Sequence, residues 1–314
     1  MADTCNILIT GGAGYLGSVM APMLLEAGHR VTVLDNFMYR QTGLAGVCHH
    51  PKFDVVDGDA RLESTVKPLA KKADVVIPLA ALVGAPLSDR DPLTATAVNR
   101  DAVVMLMGLL GNTQRVLFPN TNSGYGVGEG NALCTEETPL RPVSRYGRDK
   151  VEAEAAVLER ENSLSFRLAT VFGMSPRPRI DLLVNDFVYR ALNDRAVVLF
   201  ESHFRRNYIH VRDVGRAFLH GIGDFERMGG GAYNVGLSDT NISKRELCQR
   251  IQKHLPKFQF LEAAIGEDPD KRDYVVSNAK IEAAGFKPQY SLDDGIRELI
   301  KGYRMLRNAR YGNV

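Results

Sequence analysis

The chain has 314 residues, with 39 lysines and arginines against 37 aspartates and glutamates and a formal net charge of +2. That length holds one large domain or two smaller ones around a sizeable core. The balanced charge excludes a general nucleic-acid binder, which shows a basic surplus or stripe, and the most apolar stretch, 103–110, is far too short to span a bilayer.

Strand-like apolar runs are predicted at 6–10, 30–34, 53–56, 74–79, 115–119 and 164–168, with a late one at 232–235. Helical patterns fall between them at 16–27, 62–71, 93–110 and 146–161. Gly28 stands where a helix C-cap is expected. This alternation predicts an α/β, Rossmann-type doubly wound parallel sheet covered on both faces. The rhythm changes after Gly173. Residues 174–180 are rich in proline and arginine, 181–192 reads as a helix with Asp181 as N-cap, and Ser291 with Asp294 opens a last helix. The expected division is therefore 1–173 with 206–240 returning to it, and a smaller, discontinuous C-terminal substrate lobe from 174–205 and 241–314.

Gly11, Gly14 and Gly17 follow the first strand and open the first helix. Glycines there allow a tight turn, close backbone approach to a pyrophosphate and packing of helix on strand, and the helix N-terminus offers N–H groups and partial positive charge to phosphates. Asp35 ends the second strand about 20 residues on, where a carboxylate holds the adenosine ribose hydroxyls. A carboxylate at that point repels a 2′-phosphate, which favours NAD over NADP. Asp59 is either an adenine contact or a plain loop aspartate.

Tyr146 and Lys150 are four apart and so share one face of a helix. A phenol of pKa about 10 is a poor base at neutral pH; an adjacent ammonium and a positive nicotinamide ring would lower it. Thr121 lies at the end of the fifth strand, where ligands of open parallel sheets bind, with Ser123 as an alternative hydroxyl. Arg206 and Arg272 are candidates to grip a substrate pyrophosphate. Cys5, Cys48, Cys134 and Cys248 have neither metal-ligand nor disulfide-framework spacing. They point to reduced thiols, no metal and a cytoplasmic home, with no signal peptide ahead of Cys5.

The segments TGGAGYLG (10–17), Asp35-Asn36, Gly58-Asp59, Leu79-Ala80-Ala81, Asn99, Tyr146 to Lys150, Arg167 with Val171-Phe172-Gly173, and RNYIHVRD (206–213) resemble the extended short-chain dehydrogenase/reductases, the NAD-dependent nucleotide-sugar epimerases and dehydratases, over essentially the whole chain. The resemblance implies tightly bound NAD/NADH held by Gly11, Gly14, Tyr15, Leu16, Gly17, Asp35, Asn36, Asp59, Ala60, Leu79, Ala80, Ala81, Asn99, Tyr146 and Lys150. It implies Tyr146 as base, Lys150 as its partner and Thr121 as the hydroxyl that orients the substrate. Substrate contacts are implied for Val83, Gly84, Ser123, Asn185, Arg206 and Arg272, with Asn185 touching the sugar and the two arginines its diphosphate. A homodimer joined through 93–110 and 146–161 is implied too.

Asn122 and Ser123 stand where the family's 4,6-dehydratases carry an Asp-Glu pair, so dehydration is not expected. IPLAALVGAP (77–86), NTNSGYG (120–126), LLVNDF (182–187), 204–214 and GEDPDKRDY (266–274) resemble the GDP-manno-heptose 4-dehydrogenases. That subgroup implies oxidation of a C4 hydroxyl to a ketone. A nucleotide-sugar 4-epimerase shares every residue named, and a non-catalytic NAD-binding sensor on the same fold is a third reading.

Overall fold

The computed structural model describes residues 4–40, 42–128, 132–266 and 272–306; the parts of the expected segments at 267–271 and 307–314 lie outside them. Seven parallel strands form one sheet: β1 (Asn6–Thr10), β2 (Arg30–Asp35), β3 (Phe53–Asp57), β4 (Val75–Pro78), β5 (Arg115–Thr121), β6 (Ser163–Leu168) and β7 (Gly231–Val235). Their order is β7-β6-β5-β4-β1-β2-β3, so the chain reverses direction across the sheet between β1 and β4. Ligands of doubly wound sheets sit at that reversal, beyond the strands' carboxyl ends.

Strand side chains alternate between two cores, as a period of two requires. Ile7, Ile9, Val75, Ile77 and Leu117 face one apolar cluster, while Leu8, Val76, Val116 and Phe118 face the other. The helix α1 (Gly17–Glu26) covers the first face, and α2 (Glu63–Ala70), α3 (Ala102–Leu109) and α4 (Arg145–Leu158) the second. Gly28, at φ +94°, ends α1 by a Schellman pairing: its N–H donates to Leu25 O and that of His29 to Leu24 O.

The expected helix over 93–110 is present as one helical run, 92–109, with a π segment inside it. A turn of helix at Pro92–Thr96 passes through a π segment, Ala97–Asp101, before α3 begins. Such single π turns recur at functional sites. Here Asn99 exchanges two hydrogen bonds with the backbone of Leu82, 2.8 and 3.1 Å, and braces the loop after β4.

Beyond β6 come α5 (Leu183–Asn193), α6 (Val211–Gly223), α7 (Lys244–His254) and α8 (Leu292–Met305). Asp181 does not cap α5. The N-cap is Leu182, without a side-chain bond, and Asp181 is drawn instead into an ion pair with Arg179. Ser291 and Asp294 do form a full capping box on α8. The first core runs unbroken from Ile9 and Val33 through Phe187 and Leu247 to Leu299 and Tyr303, so these helices are packed onto the sheet by one apolar cluster.

Candidate active site

One cleft of about 1120 Å³ opens at the carboxyl ends of the strands. The glycine loop, Asp35, Thr121, Tyr146 and Lys150 all line it, facing Arg206, Lys244 and Arg272.

The three loop glycines are required for different reasons. A Cβ on Gly11, at φ +72°, would lie 2.5 Å from the backbone of Ala80, and one on Gly17 would lie 2.2 Å from Gly12 O. Both positions are fixed by packing of main chain on main chain. A Cβ on Gly14 would meet only Gly11 O, at 3.3 Å, so this glycine keeps the loop open toward the cleft. Asp35 closes the loop: its carboxylate accepts the N–H of Ala13 at 2.9 Å and that of Phe37 at 2.8 Å. Each oxygen retains a further lone pair. The set fits a dinucleotide, with an open cradle beside a helix N-terminus and a carboxylate with spare acceptor capacity.

Leu16, Asn36, Ala60, Leu79, Ala80, Ala81, Val83 and Gly84 also line the cleft. Asp59 does too, and its carboxylate is held below its usual pKa by the side chain of Arg61, 2.5 Å away. Tyr15 lies in the wall with its hydroxyl donating to Gly173 O at 2.7 Å.

Two residues expected to touch ligand are not in that wall. Asn99 braces Leu82, as described. Asn185 is 1% exposed; its amide accepts from Gly173 N at 3.1 Å and donates to Arg179 O at 2.8 Å. The structure therefore makes Asn185 a clasp on 173–179 rather than a group facing the sugar.

Tyr146 and Lys150 lie on α4, whose N-cap Ser144 accepts from Gly147 N at 3.1 Å. Burial raises the Tyr146 phenol above its usual pKa, opposed by the charges of Arg179 and Arg272. Lys150 rests on Phe118, with Nζ 3.8 Å from the ring centroid. Burial brings its pKa down to about 7, with Glu154 pulling the other way. The charges that act on the phenol are thus those of the two arginines, where the lysine was expected. Glu154, one turn further along α4, is buried in an ion pair with Arg167 at 2.8 Å and accepts from Ser165 Oγ at 2.5 Å.

Thr121 Oγ1 donates to Ser123 Oγ at 3.0 Å and accepts from Ser123 N at 3.1 Å. Arg272 Nη1 donates to the same Ser123 hydroxyl. The pairing of Val275–Val276 with Leu133–Cys134 and the edge contact of Tyr274 on Tyr125 bring Arg272 there. Arg272 accordingly sits at the Thr121 end of the cleft. Arg206, 4% exposed, is carried beside the ring of Tyr274, 5.5 Å from its centroid.

The sequence reading missed Tyr39, Arg177, Arg179 and Lys244, which also line the cleft. Lys244 had a local signal: Ser243 and Glu246 form a capping box that fixes it at the start of α7. Among the described residues no group of three His, Cys, Asp or Glu is placed to hold a metal, and no helix is long and apolar enough to cross a membrane.

The sequence profile of the NAD dependent epimerase/dehydratase family matches residues 7–236. The chain belongs to that family. It is 29% identical over 316 residues to the low-salt glycan biosynthesis protein Agl12 of Haloferax volcanii, covering 95% of this chain and 98% of that one. It is 25% identical to UDP-glucuronic acid decarboxylase 1 of Xenopus tropicalis, over 96% of this chain and 73% of that one. The fold superposes on the UDP-glucose 4-epimerase of Thermus thermophilus in complex with NAD, with a TM-score of 0.80, 25% identity, and coverage of 95% and 99% of the two chains.

Proposed function

We propose that this family member oxidises the C4 hydroxyl of a nucleotide sugar to a 4-ketone, with NAD as hydride acceptor and GDP-manno-heptose as the favoured substrate. One observation carries the reading: the glycine loop with Asp35, and Tyr146 with Thr121 and Lys150, open on the same cleft. Tyr146 Oη accepts the proton of the C4 hydroxyl, which Thr121 Oγ1 orients. Arg179 and Arg272 favour the phenolate electrostatically. Lys150, anchored on Phe118, would hold the cofactor ribose. Bound NAD would supply the hydride acceptor for C4, and its positive ring would add to the charges that favour the phenolate. The sugar thereby loses a hydride and a proton, and C4–O becomes C=O. Arg206 and Lys244, both buried in the opposite wall, are the cations for the diphosphate.

Two features support oxidation without dehydration. Asn122 is buried outside the cleft lining, and Ser123 is a neutral hydroxyl tied to Thr121 and Arg272, so neither performs the proton transfers that eliminate water. The preference for GDP-manno-heptose is supported by the resemblance of 77–86, 120–126, 182–187, 204–214 and 266–274 to the 4-dehydrogenases that act on it. The same reading places the protein in the cytoplasm as a homodimer joined through 93–110 and 146–161, where Leu93 and Val104 are exposed.

A 4-epimerase is the second reading, favoured by the likeness to the Thermus enzyme. Product analysis by NMR separates the two, using purified protein, NAD, a recycling 2-keto acid and GDP-, UDP-, dTDP- or CDP-sugars. A 4-keto product that needs the 2-keto acid establishes the dehydrogenase and names its substrate. A C4-inverted sugar formed without added oxidant establishes the epimerase.

A further inference from the structure

Arg177 is 1% exposed, yet it forms part of the cleft wall. Its Nε and Nη2 make no hydrogen bond. The guanidinium lies 4.0 Å from the centroid of the Tyr39 ring, and the buried hydroxyl of Tyr39 also lacks a partner. A ring face compensates a buried cation only in part, and buried donors are as a rule matched by an acceptor. Three unmatched polar atoms in one stretch of wall therefore call for a ligand rich in oxygens.

The position of these atoms says which ligand. Ser175 Oγ donates to Tyr15 O at 2.8 Å and lies 2.8 Å from Ser18 Oγ, and the N–H of Arg177 donates to Ser175 Oγ at 3.2 Å. These bonds staple 175–177 onto the first turn of α1. From there the arginine passes Gly43, where a Cβ would stand 3.1 Å from its own, and reaches Tyr39 in the loop after β2. Asp35 ends that strand, and its charge acts on both Arg177 and Tyr39. The unmatched donors thus lie between the phosphate-binding helix end and the ribose-binding carboxylate. Phe37 and Arg40, on either side of Tyr39, both stand at φ +50°. Bulky residues seldom adopt that conformation, and strain of this kind gathers at ligand clamps.

We propose that Arg177 and Tyr39 form a clamp on the AMP half of the dinucleotide, the guanidinium donating to a phosphate oxygen once Tyr39 has moved off it. The inference rests on the reading of this cleft as an NAD site. It adds a cation from the chain beyond β6 to a pocket otherwise built by the glycine loop and strand ends, and it gives the cofactor a lock on its outer side.

The test is binding, read without turnover. NADH affinity is measured by fluorescence titration, and AMP, adenosine and GDP by calorimetry, for the wild type, Arg177→Met and Tyr39→Phe. Arg177→Met keeps the stem and loses the charge. The expected result is a loss of roughly 10- to 100-fold for NADH and AMP, the range of one charged hydrogen bond, with adenosine and GDP unchanged. Tyr39→Phe is expected to weaken NADH severalfold. Unchanged NADH and AMP affinity overturns the clamp, and so does an equal loss for adenosine, which marks a structural role. A loss confined to GDP moves Arg177 to the substrate. If Arg177→Met does not fold, a crystal structure of the wild type with NADH decides. Guanidinium nitrogens about 3 Å from a phosphate oxygen support the clamp; an arginine still stacked on Tyr39 and away from the cofactor overturns it. A wild type that binds no NADH instead refutes the NAD reading itself.

Discussion

The two walls of the cleft are made in different ways. The sheet wall is set by main chain: Gly11 against Ala80, Gly17 against Gly12, and the ends of β1, β2 and β5 in parallel register. The opposite wall is set by side chains joined across long stretches of sequence, with Asn185 clasping Gly173 and Arg179, and Arg272 meeting Ser123. Main-chain walls follow from turn chemistry and periodicity within a few residues. Side-chain walls depend on which distant residues the core brings together. The first tolerates change badly at glycines, the second at buried amides and guanidinium groups.

The largest effect expected is at the reacting centre. Tyr146→Phe lowers turnover by about 1,000-fold, within the range of a lost acid/base group, while NADH titrations stay close to wild type; undiminished turnover would remove the tyrosine from the mechanism. Within the sheet wall, Gly17→Ala sets a methyl against immovable backbone and costs about 1–3 kcal/mol, seen as a lower Tm. Gly14→Ala, with only one neighbour at 3.3 Å, keeps its Tm and loses NADH affinity instead. A Tm loss of equal size in both variants would show that the two glycines are not distinct. Within the opposite wall, Asn185→Leu leaves the buried N–H of Gly173 unmatched and costs about 1–3 kcal/mol. Urea melts that show no change would mean the clasp is incidental.

The last effect is a pH slope. The unfolded Lys150 titrates near 10.4, and the folded one near 7. Between those values the unfolded chain binds more protons, so this lysine's contribution to stability rises with pH; below about 7 the cost of burying its charge is complete. Stability of the wild type relative to Lys150→Met therefore increases from pH 7 to pH 9 in urea titrations. A flat difference would mean that the lysine is already hydrated as fully as in the unfolded chain.

The sheet wall was legible in sequence because its signals are local. Strands at 6–10 and 30–34, glycines three apart and a carboxylate at the next strand end form one short unit, and the structure builds it with β2 one residue longer. Tyr146 and Lys150 could be paired because a helix repeats every 3.6 residues. The helix at 93–110 was legible from its apolar pattern, but the π turn inside it was not, because one extra residue leaves that pattern almost unchanged. Asp181 was misread as a cap because its arginine partner, two residues back, competes for the same oxygens. Arg177, between two prolines, and Arg179, just after the second, stood in plain sight. Nothing local says that one meets Tyr39 and the other Asp181, since stapling to α1 and the clasp of Asn185 decide it.

The bonds from Tyr15 and Ser18 to Gly173 and Ser175 have a consequence for recombination. A chimera with a crossover at Gly173 would take Tyr15 and Ser18 from one parent and Ser175 from the other, so the hydroxyls that make the staple would depend on both parents. A crossover after Asn193, at the end of α5, carries both the staple and the Asn185 clasp from one parent. Exchange of substrate range between relatives is therefore expected to succeed at the second junction and to fail at the first, although the first is where the sequence changes rhythm.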